Sequence, residues 1–296
     1  MKNRIVGVLI MLIGIVSCID DVDNLNLPRI EPKLVVQSFI TPNDSIRVAV
    51  WQSIPINYNL PITGNYYDDK PVEVKNALVV LKNSEDTQTV EIPFVEALGM
   101  YVIPPTAYDV VMGNTYHLSV SAPGFNEVKA STTVPDYAPI IRDVKLDTLG
   151  LTQWGDVRII LSGRIVDEAS KPNFYALFQY SFAHYVNGID TVSYVRFSIR
   201  ELYSDLGYDG ISIPFKIDYS VWDDGHHNNL NISLYALSVD KHYYRFHKSL
   251  DNVWDIGDNP FAESSHLYSN VEGGLGVFAS FISTVIDLDD KGEQRK

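Results

Sequence analysis

Cysteine is almost missing from this chain, with a single residue, Cys18, in 296. One cysteine excludes an internal disulfide and any metal centre built from several thiolates. Cations are scarce as well: 23 Lys and Arg stand against 37 Asp and Glu, for a formal charge of −14. A phosphate backbone would be repelled, so no nucleic acid partner is expected, and anionic lipid would be repelled in the same way. No apolar run reaches the roughly 20 residues that a bilayer span requires. Catalytic signatures are missing too. There is no G-x-S-x-G elbow, no H-E-x-x-H and no nucleotide-binding loop, so neither an enzyme nor a cofactor is expected.

What the chain does have begins at its start. Lys2 and Arg4 precede an apolar run at 5–16, the layout of a secretory leader over 1–17. Ile15-Val16-Ser17-Cys18 resembles a bacterial lipobox. That resemblance implies a diacylglyceryl group on the Cys18 thiol, cleavage before it, and acylation of the new amine. Several acyl chains hold a protein firmly, where one gives only marginal binding. Removal of Lys2 and Arg4 with the leader takes the charge from −14 to −16. Asp20, Asp21 and Asp23 follow at once and resemble the acidic export signal of Bacteroidetes-type lipoproteins, which sends them to the outer face of the outer membrane. Residues 18–32 carry Pro28 and Pro32 without periodicity and read as a lipidated tether; its last 13 residues could reach about 40 Å.

From residue 33 the pattern becomes short alternating runs at 33–39, 45–51, 76–82, 87–92, 115–122 and 127–133, punctuated by Asn, Asp, Gly and Pro. The fold class is mainly β, and 33–135 reads as an immunoglobulin-like β-sandwich. Around Pro123-Gly124 a hairpin is legible, with Tyr116, Leu118 and Val120 on one face. Pro135 and Pro139 mark a stiff linker. Residues 140–290 then form a second β-rich domain with longer strands, a larger sheet or barrel-like arrangement, and 291–296 form a tail. One helix is expected at about 240–256, capped by Asp240. Tyr243, Phe246, Leu250 and Val253 form its apolar stripe and Lys241, Arg245, Lys248 and Asp251 its polar face. A final strand is expected at 277–288.

Three stretches carry candidate chemistry. Asp223, Asp224, His226 and His227 hold potential metal ligands, but Asp-Gly between strands is first a hairpin turn, and adjacent strand histidines face opposite sides; no metal site is assigned. Tyr208, flanked by Gly207 and Asp209-Gly210, reads as a loop contact for a ligand or partner, and Trp222 is a second candidate contact at the end of the same aromatic-rich stretch. Gly273, Gly274 and Gly276 read as a structural turn. Gly274 to Ala279 matches G-x-G-x-x-A formally, yet a β-rich run follows where a dinucleotide site needs a helix.

The runs "SVDKHYYRFHKSL", "NPF" and "YSNVEGGLGVF", with "EPKLVVQSFI" and "TVPD" earlier, resemble a lipoprotein family catalogued as domain of unknown function forty-two forty-nine. Ser269 to Phe278 is the specific part of that likeness. The resemblance implies an outer-membrane lipoprotein facing the cell exterior, encoded beside SusC-type TonB-dependent receptors. It further implies a non-catalytic accessory or binding subunit for an unknown nutrient ligand, held to the membrane through its acyl anchor. The competing expectation is a structural or adhesive surface lipoprotein.

Overall fold

The computed structural model describes residues 31–54, 71–85, 89–151, 157–187, 190–197, 200–221, 230–256 and 266–288. Cys18, Asp20, Asp21, Asp23, Trp222, His226 and His227 lie outside the described residues. The fold is mainly β, with one helix among those residues.

The first half contributes β1 (Leu34–Ile40), β2 (Ile46–Gln52), β3 (Val72–Glu73), β4 (Leu78–Asn83), β5 (Thr89–Glu91), β6 (Phe94–Val95), β7 (Met100–Ile103), β8 (Thr115–Ser121) and β9 (Val128–Thr133). Strict alternation explains most of them. β1 and β8 bury every second residue, which fits one covered and one open face. β1, β2, β7 and β6 lie side by side in one layer, and β5-β4-β8-β9 form another. Between them Leu34, Val36, Val48, Leu81, Tyr101, Leu118 and Val128 share a core. Two buried tyrosines settle their hydroxyls on backbone, as buried polar groups must. Tyr116 accepts from the Val111 N–H at 2.7 Å, while Tyr101 accepts from Ala77 N–H and donates to the Val74 carbonyl, both at 2.8 Å. The turn at Pro123-Gly124 closes through Phe125 N–H to Ala122 O at 3.1 Å.

The second half contributes β10 (Ile140–Leu151), β11 (Val157–Val166), β12 (Phe174–Asn187), β13 (Asp190–Phe197), β14 (Glu201–Ser204), β15 (Ile213–Val221), β16 (Leu230–Val239), α1 (Lys241–Ile256) and β17 (Leu275–Leu288). These strands do not close into a barrel. β10-β11-β15 form a separate three-stranded sheet, which packs through Ile159, Leu161, Phe215 and Ile217 onto Tyr175, Leu177, Ile232 and Leu234 of β12 and β16. β13 and β14 pair with successive parts of β12.

One strand joins the halves. Residues Leu275–Ser280 of β17 pair parallel with β1, and Phe281–Leu288 pair antiparallel with β16. The final strand, expected inside the second domain, is therefore shared, and the large sheet runs unbroken from β13 to β6. Both faces of β17 are covered, which accounts for its unbroken buried run Val277–Ser280. Phe278 and Ile282 enter the first core, whereas Val277 and Ala279 meet Tyr243 and Phe246 of α1. Val253, assigned from sequence to the apolar stripe, is exposed; the helix leaves the sheet before that turn. His247, taken for no part of the stripe, is buried between Phe39 and Tyr243.

Candidate functional site

Where β17 runs beside β1, no strand among the described residues pairs with its other edge, because the β16 ladder stops at Val239 opposite Phe281. Two side chains take over. Asn270 holds Phe278 as a strand would, donating to its carbonyl at 2.8 Å and accepting its N–H at 3.0 Å. The same amide reaches Ser131 O on β9 at 3.2 Å. Two residues on, Glu272 exchanges both backbone hydrogen bonds with Lys129, at 2.7 and 3.1 Å. The run Ser269–Glu272 thus seals the edge of β9 and stitches the second layer to β17. Asn270→Ala leaves the Phe278 and Ser131 backbone groups without this partner. It is expected to cost about 2–3 kcal/mol, read as a lower urea midpoint at unchanged m-value.

Asp240 does the equivalent work one step further along. Its Oδ1 accepts the Tyr243 N–H at 2.8 Å, capping α1 as the sequence predicted, and its Oδ2 accepts the Thr132 hydroxyl at 2.7 Å. Thr132 Oγ1 lies 2.8 Å from Ser280 Oγ, which donates to Thr133 O at 3.0 Å. The carboxyl is buried, and burial pushes its pKa up to about 6 against the opposing pull of these donors. Burial also holds two helix imidazoles down at about 4: His242, helped by Lys241 and Arg245, and His247, helped by Arg200. His242 Nδ1 is 2.7 Å from the Tyr268 hydroxyl.

Beside this seam lies an open cleft of about 700 Å³, in the range of small-molecule sites. Its floor is the outer face of β5, β4, β8 and β9. There the register sets Thr89, Lys82, His117 and Ser131 in one cross-strand row, with Val80, Ser119 and Lys129 in the next. Its wall is Ser269–Glu272 together with His242. A second cleft of about 490 Å³ continues past Ser131 and His242 to Asp136, Tyr137 and Lys171. Neither was legible in the sequence, because the floor of the first comes from four strands and its wall from two further segments, far apart along the chain.

The loop expected to present Tyr208 does so, with Tyr208 exposed. Beneath it the structure gathers Asp167, Asp205 and Asp209, each offering a carboxylate oxygen within 4.8 Å of the others. Such a set could hold a hard cation. Each carboxylate is already occupied by backbone: Asp167 accepts Gly210 N–H at 2.9 Å, and Asp205 and Asp209 accept Asn173 and Ser170 N–H at 2.8 Å. Asp167 also accepts the Tyr175 hydroxyl at 2.8 Å. The cluster is accounted for as a loop clasp. Gly273, Gly274 and Gly276 sit at the entry to β17, and a strand rather than a helix follows them.

These features define a two-part β protein whose halves share one strand and meet at an open cleft. The chain belongs to the family described as domain of unknown function DUF4249, whose model matches residues 21–285. A comparison with curated proteins finds no match. Among solved structures it is similar to the tetra-tandem repeat in the extending region of a large adhesion protein. The identity is 13%, the TM-score 0.22, and the match covers 71% of this chain and 46% of that one. The chain thus spans less than half the length of that structure.

Proposed function

We propose that this protein is a surface-exposed outer-membrane lipoprotein, a non-catalytic accessory or binding subunit of a TonB-dependent nutrient uptake system. The observation that carries the binding role is the place of Ser269–Glu272. These residues open the Ser269–Phe278 run on which the family resemblance chiefly rests, and they build a wall of the 700 Å³ cleft and stitch the two halves around it. A nutrient held there would lie on the Thr89-Lys82-His117-Ser131 row. The polarity of the body supports the anchored arrangement. β1 starts directly after the tether, with Glu31, Pro32 and Lys33 beside Phe125, Asn126 and Gly273. From that end β17 runs 14 residues, about 45 Å, carrying the second half away from the anchor.

Cys18→Ala is expected to move the protein from the membrane fraction to the soluble fraction. Persistent acylation or membrane residence would remove the anchor from this reading. The receptor partnership is tested by affinity purification of the acylated, C-terminally tagged protein from mildly solubilised outer membrane. A TonB-dependent receptor in near-equal amount is the expected result. Recovery of the lipoprotein alone across several detergents would transfer the weight to a structural or adhesive role.

A further inference from the structure

The loop between β14 and β15 is built unlike the others. Its tip presents three apolar side chains to solvent: Leu206 at 87% exposure, Ile211 at 57% and Tyr208 at 37%. Leu206 is more exposed than any other large apolar residue among those described. Single exposed leucines are ordinary; a group of three on one short loop is not.

The loop is also held in place. Tyr208 N–H donates to Asp205 O at 2.6 Å and Ile211 N–H to Tyr208 O at 2.8 Å, forming two successive turns. Gly207 and Gly210 take positive φ of 85° and 72° to make them. The neighbouring loop between β11 and β12 clasps the base. Ser170 N–H binds Asp209, Asn173 N–H binds Asp205, and Gly210 N–H reaches across to Asp167. A Cβ at Gly210 would lie 2.9 Å from that of Ala169, so the two loops pack without a gap. The apolar tip is therefore pre-organised, and little ordering entropy remains to be lost when it is buried.

Charge narrows what could cover it. Residues 167–171 and 205–211 together hold four carboxylates, Asp167, Glu168, Asp205 and Asp209, against one cation, Lys171. Lys171 is itself paired with Glu168 and Asp136, at 2.9 and 2.7 Å. An anionic membrane surface would repel such a rim. An apolar pocket with a cationic border would match both the tip and the rim.

We propose that the Asp205–Ile211 loop is a docking finger that seats this protein in an apolar, basic-rimmed pocket of a protein partner, with Leu206 as the inserted side chain. The identity of that partner as the uptake receptor rests on the function proposed above; the finger itself rests on the loop.

The test compares acylated, tagged wild type with Leu206→Asp, Ile211→Asp and a control, Leu149→Asp, whose side chain on β10 is as open to solvent as that of Ile211. Unchanged melting temperatures establish that the variants fold. Receptor recovery is expected to fall at least tenfold for the two loop variants and to stay at the wild-type level for the control. A photo-crosslinking residue at position 206 is expected to attach to the receptor at one site. Full recovery with Leu206→Asp overturns the finger and leaves the receptor reading intact. If wild type recovers no receptor, that reading falls, and position 206 decides the finger separately. A single mapped protein adduct in intact cells supports it, and no adduct overturns it. Flotation of the Cys18→Ala protein with zwitterionic vesicles, abolished by Leu206→Asp, would make the tip lipid-seeking and also overturn the proposal.

Discussion

Gly276→Ala is expected to lower stability by about 4 kcal/mol or more, enough to threaten the whole fold. Gly276 sits opposite Val36 in the parallel ladder between β17 and β1, with φ of 111°. That backbone conformation alone costs a side chain about 1–3 kcal/mol. The larger part is overlap. A Cβ there would lie 2.8 Å from the Val36 carbonyl carbon and 2.9 Å from its nitrogen, and would overlap the carbonyl oxygen. Backbone cannot swing aside as a side chain does, so relief requires β17 to separate from β1. Among the described residues that ladder is the only strand pairing between the final strand and the first layer, and Val277 through Ser280 are buried beside it. Gly207→Ala supplies the contrast, since its φ is 85° but a Cβ would meet nothing within 4 Å. It should show the conformational penalty alone, about 1–3 kcal/mol. Urea unfolding of both variants checks this, and a Gly276→Ala loss no greater than that of Gly207→Ala would mean that the strands do not approach so closely.

The same glycine marks where sequence reading stops. Alternation in β1, β8 and β9, the Pro-Gly hairpin and the Asp240 cap are local patterns, and all were legible. β7 was not, because four residues, Met100–Ile103, after a turn are too short to display a period. The β1–β17 ladder joins residues about 240 positions apart, and no local signal announces a parallel partner at that distance. Gly273, Gly274 and Gly276 could be read as a turn into a strand, but not as a close approach to a strand from the other end of the chain. Asn270 and Asp240 standing in for a missing neighbour strand were equally invisible, since the gap they fill exists only once β16 ends. The exposed loop position of Tyr208 was legible from its flanking glycine and Asp-Gly, whereas the exposure of Leu206 was not, because an exposed leucine leaves no mark in a sequence. Asp167 joins Asp205 and Asp209 only through the packing of two loops.

The stability advantage of Asp240→Asn over wild type should grow by about 2 kcal/mol between pH 4 and pH 7. Burial raises the folded pKa of Asp240 from 3.8 to about 6. Between those values the folded chain holds a proton that the unfolded chain has released, so wild-type stability falls as pH rises through that window. One pKa unit is worth about 1.4 kcal/mol, so the difference of about two units is worth about 3 kcal/mol over the whole titration, of which about 2 kcal/mol falls between pH 4 and pH 7 because the unfolded carboxyl is still partly protonated at pH 4. Asparagine keeps the acceptor for Tyr243 N–H and a donor toward Thr132, without a charge to bury. The two lowered histidines act in the opposite direction. Neutral in the fold, His242 and His247 contribute stability that is lost as pH falls from about 6.5 toward 4. They are present in both proteins and cancel in the difference. Asp240→Ala at pH 4 removes the charge from the comparison and isolates the hydrogen bonds. Loss of the helix cap, with the Thr132 and Ser280 partners left unpaired, should cost about 2–3 kcal/mol there. Paired urea titrations at pH 4 and 7 measure both quantities. A flat Asp240→Asn difference across that range would place the carboxyl in contact with water, and the seam between β9, α1 and β17 would then be open where this structure has it closed.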